Sequence, residues 1–282
     1  MAAFFGTPGD DNLIGAERGD NMVGFAGNDT LTGLGGEDTL FGGDGNDTLR
    51  GGDGGDVLDG GAGSDILDGG TGGFGVDTAD YRSFSNGVNV NLVTGKANDG
   101  SGTDTLISIE DVQGTDFGDE IIGDQASNFL HGNGGADFIS ANGGDDIISG
   151  GAGNDRILGG SGADKISGGA GADTLTGGSE ADTFQFLFLS EVGVGAGRDV
   201  IKDFEKGLDK INVSTLDADT SVSGNQTFSF VGSNAFSDEG QIRATPLNGG
   251  ALVQFNTSGT SGAEFEIFLE DPVQLSAVDF IL

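Results

Sequence analysis

Three features of the sequence predict an all-β fold, a right-handed parallel β-roll (β-solenoid) of nonapeptide repeats with a C-terminal β cap domain. Residues 114–185 divide without remainder into eight frames of nine, each close to GGxGxDxUx with U a large apolar residue. A second set of such frames begins at Gly6. After Thr183 glycine becomes sparse and phenylalanine rises, with eleven of the 20 Phe in the last hundred residues. Repetition at so short a period marks a stack of units, each of which buries its apolar residue only against its neighbours.

The first array, residues 1–80, has frames starting at Gly6, Gly15, Gly24, Gly33, Gly42, Gly51 and Gly60, and an eighth from Gly69 with three inserted residues. Position six holds Asp11, Asp20, Asp29, Asp38, Asp47, Asp56, Asp65 and, after the insertion, Asp77. The inward position eight holds Leu13, Met22, Leu31, Leu40, Leu49, Leu58, Leu67 and Ala79. Three residues around U suffice for a strand of about 10 Å, at about 3.3 Å per residue with alternate side chains on opposite faces. The other six reverse the chain, and glycine at positions one, two and four is expected to supply the backbone freedom. Arg18 replaces a turn glycine in the second frame, which predicts a weak or absent first site.

Residues 81–113 leave the nine-residue register, but Val88, Val90 and Leu92 alternate, as do Leu106 or Ile107 with Ile109 and Val112. This spacer is expected to form two or three strands joined by a loop at residues 94–103. In the second array, residues 114–185, position six is Asp119, Asn128, Asp137, Asp146, Asp155, Asp164, Asp173 and Asp182. Position eight is Ile121, Leu130, Ile139, Ile148, Ile157, Ile166, Leu175 and Phe184. Residues 186–282 read as the strands of a compact β cap that hides the last apolar layer of the stack.

Two frames close one coil, so carboxylates two frames apart line up along each edge of the roll. Such neighbours, about 5 Å apart, repel by about 1 kcal/mol in water and about 3 kcal/mol at an effective dielectric near 20. A cation between the turns reverses that sign. Carboxylates with loop carbonyls form a hard, all-oxygen ligand set that suits several Ca²⁺ ions and disfavours softer metals. One apolar side chain per nine ordered, glycine-rich residues does not offset their conformational entropy. The arrays are therefore expected to be marginal without metal, with ion binding supplying folding free energy.

The 282 residues carry 11 Lys+Arg against 46 Asp+Glu, a formal charge of −35. That balance excludes nucleic acid as a partner, since phosphate binding needs a positive surface. The acidity is periodic, unlike that of a solvated tail: fifteen Asp stand at position six. The chain has no Cys, so disulfides and thiolate zinc sites are absent. The start, MAAFFGTPGDD, lacks the charged and apolar segments of a signal peptide, and no run approaches a membrane span. Repeats that begin so soon after Met1 lead us to expect an intact short protein.

The arrays resemble RTX (hemolysin-type) calcium-binding repeats. Residues 183–282, with ADTFQF, RDVIKDFEKGLDKINV and the closing VDFIL, are similar to the C-terminal domain of serralysin-type secreted metalloproteases. NGVNVNLVTGKA and GTDTLISIEDVQGT resemble the spacer between arrays in such proteins. The resemblance implies a secreted, extracellular protein exported by type I secretion machinery that reads a C-terminal signal, with the repeats folding in calcium outside the cell.

No enzyme is expected. The HExxH of the metalloproteases is absent, and the single histidine, His131, stands at an outward position nine and is read as a bystander. No GxSxG is present either. Lys202, Lys206 and Lys210, interleaved with Asp199, Asp203 and Asp209, read as a solvated turn face, and the cap aromatics read as core. The outward residues on one face, among them Thr30/Thr32 and Thr48/Arg50, make no regular ladder for ice. The expected role is a non-catalytic binding, structural or host-interaction module touching extracellular polysaccharide or a host surface. The alternatives are the export half of a serralysin-type metalloprotease or polysaccharide epimerase, and a nodulation-type signalling protein acting on host membranes.

Overall fold

The computed structural model describes residues 2–71, 75–191, 193–219, 223–259, 262–271 and 273–282. The insertion in the frame from Gly69 falls partly on residues 72–74, outside the described residues. The chain divides into two compact units, Met1–Asn133 and Gly134–Leu282. No α-helix occurs among the described residues, and the repeats form a parallel β-roll.

In the first unit successive strands alternate between two sheets. One holds Ala3–Phe5, Asn21–Ala26, Thr39–Asp44, Val57–Ala62, Thr78–Asp80, Asp111–Gln113 and Phe129–His131. The other starts Asn12–Ile14, Thr30–Gly35, Thr48–Asp53, Ile66–Asp68. The register is a shift of eighteen residues, as in Leu31↔Leu49 and Leu40↔Leu58. Met22, Leu31, Leu40, Leu49, Leu58, Leu67 and Ala79 all stack inward with no exposed surface.

Two expectations need correction. In the regular turns the strand has six residues rather than three, because pairing resumes beyond position one, as Phe25↔Gly43 shows. The spacer loop expected at 94–103 contains a strand, Lys96–Asn98, antiparallel to both Asn89–Asn91 and Thr103–Ile107. Lys96 and Asn98 face solvent while Ala97 alone is buried, so one apolar residue was too weak a periodic signal. Thr103–Ile107 and Asp111–Gln113 add in parallel to the roll sheets through Leu106↔Leu67 and Val112↔Ala79.

In the second unit Ile147–Ala152, Lys165–Ala170 and Thr183–Gln185 form one sheet, and Phe138–Gly143, Arg156–Ser161 and Thr174–Ser179 the other. The cap continues both. Lys210–Asn212 pairs in parallel with Thr183–Gln185, and Phe280–Ile281 with Lys210–Asn212. Asp199–Ile201 pairs in parallel with Thr174–Ser179 on one side and Phe265–Leu269 on the other, and Phe265–Leu269, Gly250–Asn256 and Gln241–Leu247 follow as an antiparallel run. Most cap aromatics are core, with Phe188 exposed: Phe255 and Phe265 stack at 3.9 Å, and Phe228 meets both edge-on.

Candidate metal centres

The position-six carboxylates form ladders in which each backbone N–H donates to the Oδ1 of the Asp one turn on. In the first unit Asp11 donates to Asp29, Asp29 to Asp47 and Asp47 to Asp65, each at 2.7 Å. On the other edge Ala2 donates to Asp20 at 2.9 Å, Asp20 to Asp38 at 2.7 Å, Asp38 to Asp56 at 2.8 Å and Asp56 to Asp77 at 2.9 Å. In the second unit the bonds run Asp137 to Asp155 to Asp173 at 2.9 and 2.8 Å, and Asp146 to Asp164 to Asp182 at 2.9 and 3.0 Å. Oδ1 is thus occupied, and what the turn can hold depends on Oδ2.

Two kinds of turn treat Oδ2 differently. In the closed turns the N–H of position two donates to it: Thr7 to Asp11 at 2.5 Å, Ala16 to Asp20 at 2.8 Å and Thr115 to Asp119 at 2.7 Å. Asp124 donates likewise to the Asn128 side-chain oxygen at 2.9 Å. In none of these four frames has position two or four a positive φ. In the open turns position two is left-handed, with Gly43 at φ +114° and Gly151 at φ +105°, and position four follows, with Gly45 at φ +140°. There Oδ2 of Asp29, Asp38, Asp47, Asp56, Asp65, Asp155, Asp164, Asp173 and Asp182 is buried and meets no donor.

A second oxygen lies beside it. A Cβ built on Gly24 would stand 2.3 Å from Asp29 Oδ2 and 2.6 Å from the Gly42 carbonyl oxygen. The same pair of acceptors crowds Gly33, Gly42, Gly150 and Gly159. In these frames position one therefore takes glycine for space, not for φ, which corrects the expectation that all three glycines serve backbone freedom; the frame of Asp146 has Ala141 in that place. Asp77 Oδ2 and the Ser108 carbonyl crowd Gly69 in this way, beside Gly70 at φ +123°. Asp137 and Asp146 follow Asn133 and Asn142, at φ +68° and +73°, so their turns are of the open kind too.

A buried carboxylate oxygen without a donor is costly. Burial pushes Asp38, Asp56 and Asp164 up to about 6 and Asp65, Asp173 and Asp182 up to about 7, with neighbouring carboxylates adding to the rise. A carboxylate and a backbone carbonyl converging from stacked turns make an oxygen-only donor set of the kind a hard divalent cation takes. Among the described residues no three acidic, imidazole or thiol side chains converge tightly enough to hold a metal. Backbone carbonyls must complete any centre.

Four rungs escaped the sequence reading. Asp65 donates to Asp104 Oδ1 at 2.9 Å, Asp77 to Glu110 Oε2 at 3.1 Å, Asp173 to Asp199 Oδ1 at 2.8 Å and Asp182 to Asp209 Oδ1 at 3.0 Å. The signal that could have found them is an acid two residues before a buried apolar residue, here Leu106, Val112, Ile201 and Ile211. Asp199 and Asp209, expected on a solvated face, are 1% and 3% exposed. Burial pushes Asp199 up to about 8. His131 is half-buried on Phe129–His131, opposite Gln113.

The repeat pattern is decisive against known families. The model of the RTX calcium-binding nonapeptide repeat matches in four copies, at residues 5–40, 41–78, 113–148 and 149–184. The chain belongs to this RTX family. RTX nonapeptides are calcium-binding motifs, which agrees with the donor set of the open turns. No curated protein matches the chain. Among solved structures, the AlgE6R3 subunit of the mannuronan C5-epimerase of Azotobacter vinelandii is 26% identical at a TM-score of 0.36, over 59% of this chain and 78% of that one. The AlgE6R2 subunit of that enzyme is 24% identical at a TM-score of 0.36, over 59% and 91%. The extracellular lipase LipA of Serratia marcescens is 17% identical at a TM-score of 0.31, over 99% and 40%.

Proposed function

We propose that this RTX chain is a secreted, non-catalytic module whose repeats fold as they take up calcium outside the cell. The observation that carries this reading is the buried, donorless Oδ2 repeated through the open turns. Asp29, Asp38, Asp47, Asp56, Asp65, Asp77, Asp137, Asp146, Asp155, Asp164, Asp173 and Asp182 would hold the ions with position-one carbonyls of the stacked turns. Asp11, Asp20, Asp119 and Asn128, whose turns are closed by the position-two N–H, would hold none. The ions supply the positive charge that the ladders lack. What the chain itself contributes is Oδ1 pinned by a backbone donor, which aims Oδ2 into the turn, and a glycine that leaves the space.

Family membership supports export by type I machinery, since RTX proteins are typically secreted that way. No helix among the described residues is long and apolar enough to cross a membrane. Extracellular polysaccharide or a host surface remains the proposed partner. Far-UV circular dichroism from chelator to about 10 mM calcium, which spans the affinity range of extracellular modules, tests the folding reading. A cooperative coil-to-β transition is expected near millimolar calcium. A spectrum equally β-rich in chelator would overturn it.

A further inference from the structure

The spacer holds an acidic group that the repeats do not explain. Its residues 99–107, DGSGTDTLI, lie outside the matched repeats. Yet the structure stacks them position for position on the frame from Gly60. Thr105, Leu106 and Ile107 pair with Ile66, Leu67 and Asp68. Asp65 N–H donates to Asp104 Oδ1 at 2.9 Å, Thr103 N–H to Ser64 Oγ at 3.1 Å and Gly63 N–H to Ser101 Oγ at 3.0 Å. A Cβ on Gly102 would fall 1.8 Å from the Gly63 carbonyl, as one on Gly63 would fall 1.6 Å from that of Gly45. Gly100 at position two has φ +86°, the left-handed value of an open turn. The segment is a nonapeptide turn in disguise, and what disguises it is Asp99 at position one.

Asp99 is 1% exposed. Its Oδ1 accepts from Ser101 N–H at 2.7 Å, Ser101 Oγ–H at 2.8 Å and Gly102 N–H at 2.9 Å. Its Oδ2 is buried and has no partner, and the same holds for Oδ2 of the facing Asp65. The Asp99 backbone carbonyl, the group that lies beside Oδ2 in the regular turns, is engaged by Asn86 Nδ2 at 2.7 Å. The charges that Asp65 and Asp104 feel most come from other carboxylates, Asp99 among them, with no Lys or Arg. Tyr81, 1% exposed, donates its hydroxyl to Asp104 Oδ2 at 3.1 Å and closes the cluster on that side.

We propose that Asp99 and Asp65, with backbone carbonyls of their two stacked turns, form a calcium site of the spacer. This inference rests on the calcium reading of the repeats. It completes the Asp65 centre from a segment where the nonapeptide pattern is lost, so that the ion ties the spacer into the roll.

The chain has one Tyr and no Trp, so tyrosine-sensitised emission from bound terbium, a hard cation that substitutes for calcium, reports the neighbourhood of Tyr81 alone. The full-length chain is titrated with terbium from the metal-free state while circular dichroism follows folding. Sensitised emission is expected with folding, displaced by excess calcium. Asp99→Asn keeps Oδ1 for its three donors and removes only the free oxygen, so it should fold with terbium but lose the emission. Asp99→Gly, which restores the residue of the other turns, should lose it too, and it serves if the Asn variant does not fold. Emission unchanged in the variants, or folding of the natural chain without emission, overturns the site but leaves the calcium-folded repeats standing. Absence of any metal-induced folding overturns both.

Discussion

On the proposed reading, an open-turn Asp such as Asp47 divides its two oxygens between the protein and the ion. Oδ1 is fixed by a backbone N–H, and Oδ2 is aimed into a space with a carbonyl and no donor, as at Asp47. In the closed turn of Asp119 both oxygens are taken, by Val88 N–H at 2.7 Å and by the N–H and hydroxyl of Thr115. Equilibrium dialysis with calcium separates the two. Asp47→Asn should bind about one ion fewer per chain. Asp119→Asn should bind as many as the natural chain while losing about 1–3 kcal/mol of stability to denaturant from its hydrogen bonds. Equal ion counts for both variants would refute the distinction between turns.

Within a turn, neighbouring residues answer to opposite demands. Gly33 precedes Leu34, and a Cβ on Gly33 would stand 2.0 Å from Asp38 Oδ2 and 2.7 Å from the Gly51 carbonyl. Leu34 is held at φ +80°, where an L-residue costs about 1–2 kcal/mol, and is 39% exposed, so its packing offsets little of that cost. Its backbone conformation is imposed by the rung it pairs with, Gly52 at φ +115°. Leu34→Gly should therefore raise stability in calcium by about 1 kcal/mol. Gly33→Ala should lower both stability and ion count. Denaturant melts of the two variants in saturating calcium check the opposite signs. The cap obeys the same element rules, since Asp199–Ile201 and Lys210–Asn212 are roll rungs that lost most of their glycines. On its outer side Lys202 pairs with Glu270 at 2.7 Å, an exposed contact that adds little.

At the scale of the whole molecule the charge of −35 makes the metal-free fold a function of pH. Burial raises the folded-state values of Asp65, Asp173 and Asp182 to about 7 and of Asp199 to about 8, against about 3.9 for an unfolded Asp. Between those limits the folded state binds more protons than the unfolded one, so stability falls as pH rises. In chelator the β signal should be weakest above about pH 8 and grow as pH is lowered toward about 4, where the penalty of burying these charges is gone. With calcium present the sign reverses, because protons compete with the ion for the same carboxylates. Circular dichroism against pH with and without calcium checks both slopes. Parallel slopes would mean that these carboxylates do not hold the ions.

The roll, its apolar stack and its acidic edges are all legible in the nine-residue period. A nine-residue period needs no distant information: Leu40, Leu49 and Leu58 recur at position eight and all three are buried without remainder. Which turns are open is set by the stacking of one turn on the next. Phe25 and Leu34 are poor candidates for a left-handed conformation, yet they adopt it because they are paired with Gly43 and Gly52, whereas Thr7 and Thr115 turn their N–H groups onto the carboxylate. Nor could the period reveal the rungs at Asp104, Glu110, Asp199 and Asp209. The physical reason is common to both: a turn's φ values and its place in the stack are set by hydrogen bonds to a turn eighteen or more residues away, so a frame without its glycines is recognisable only by what it is stacked on.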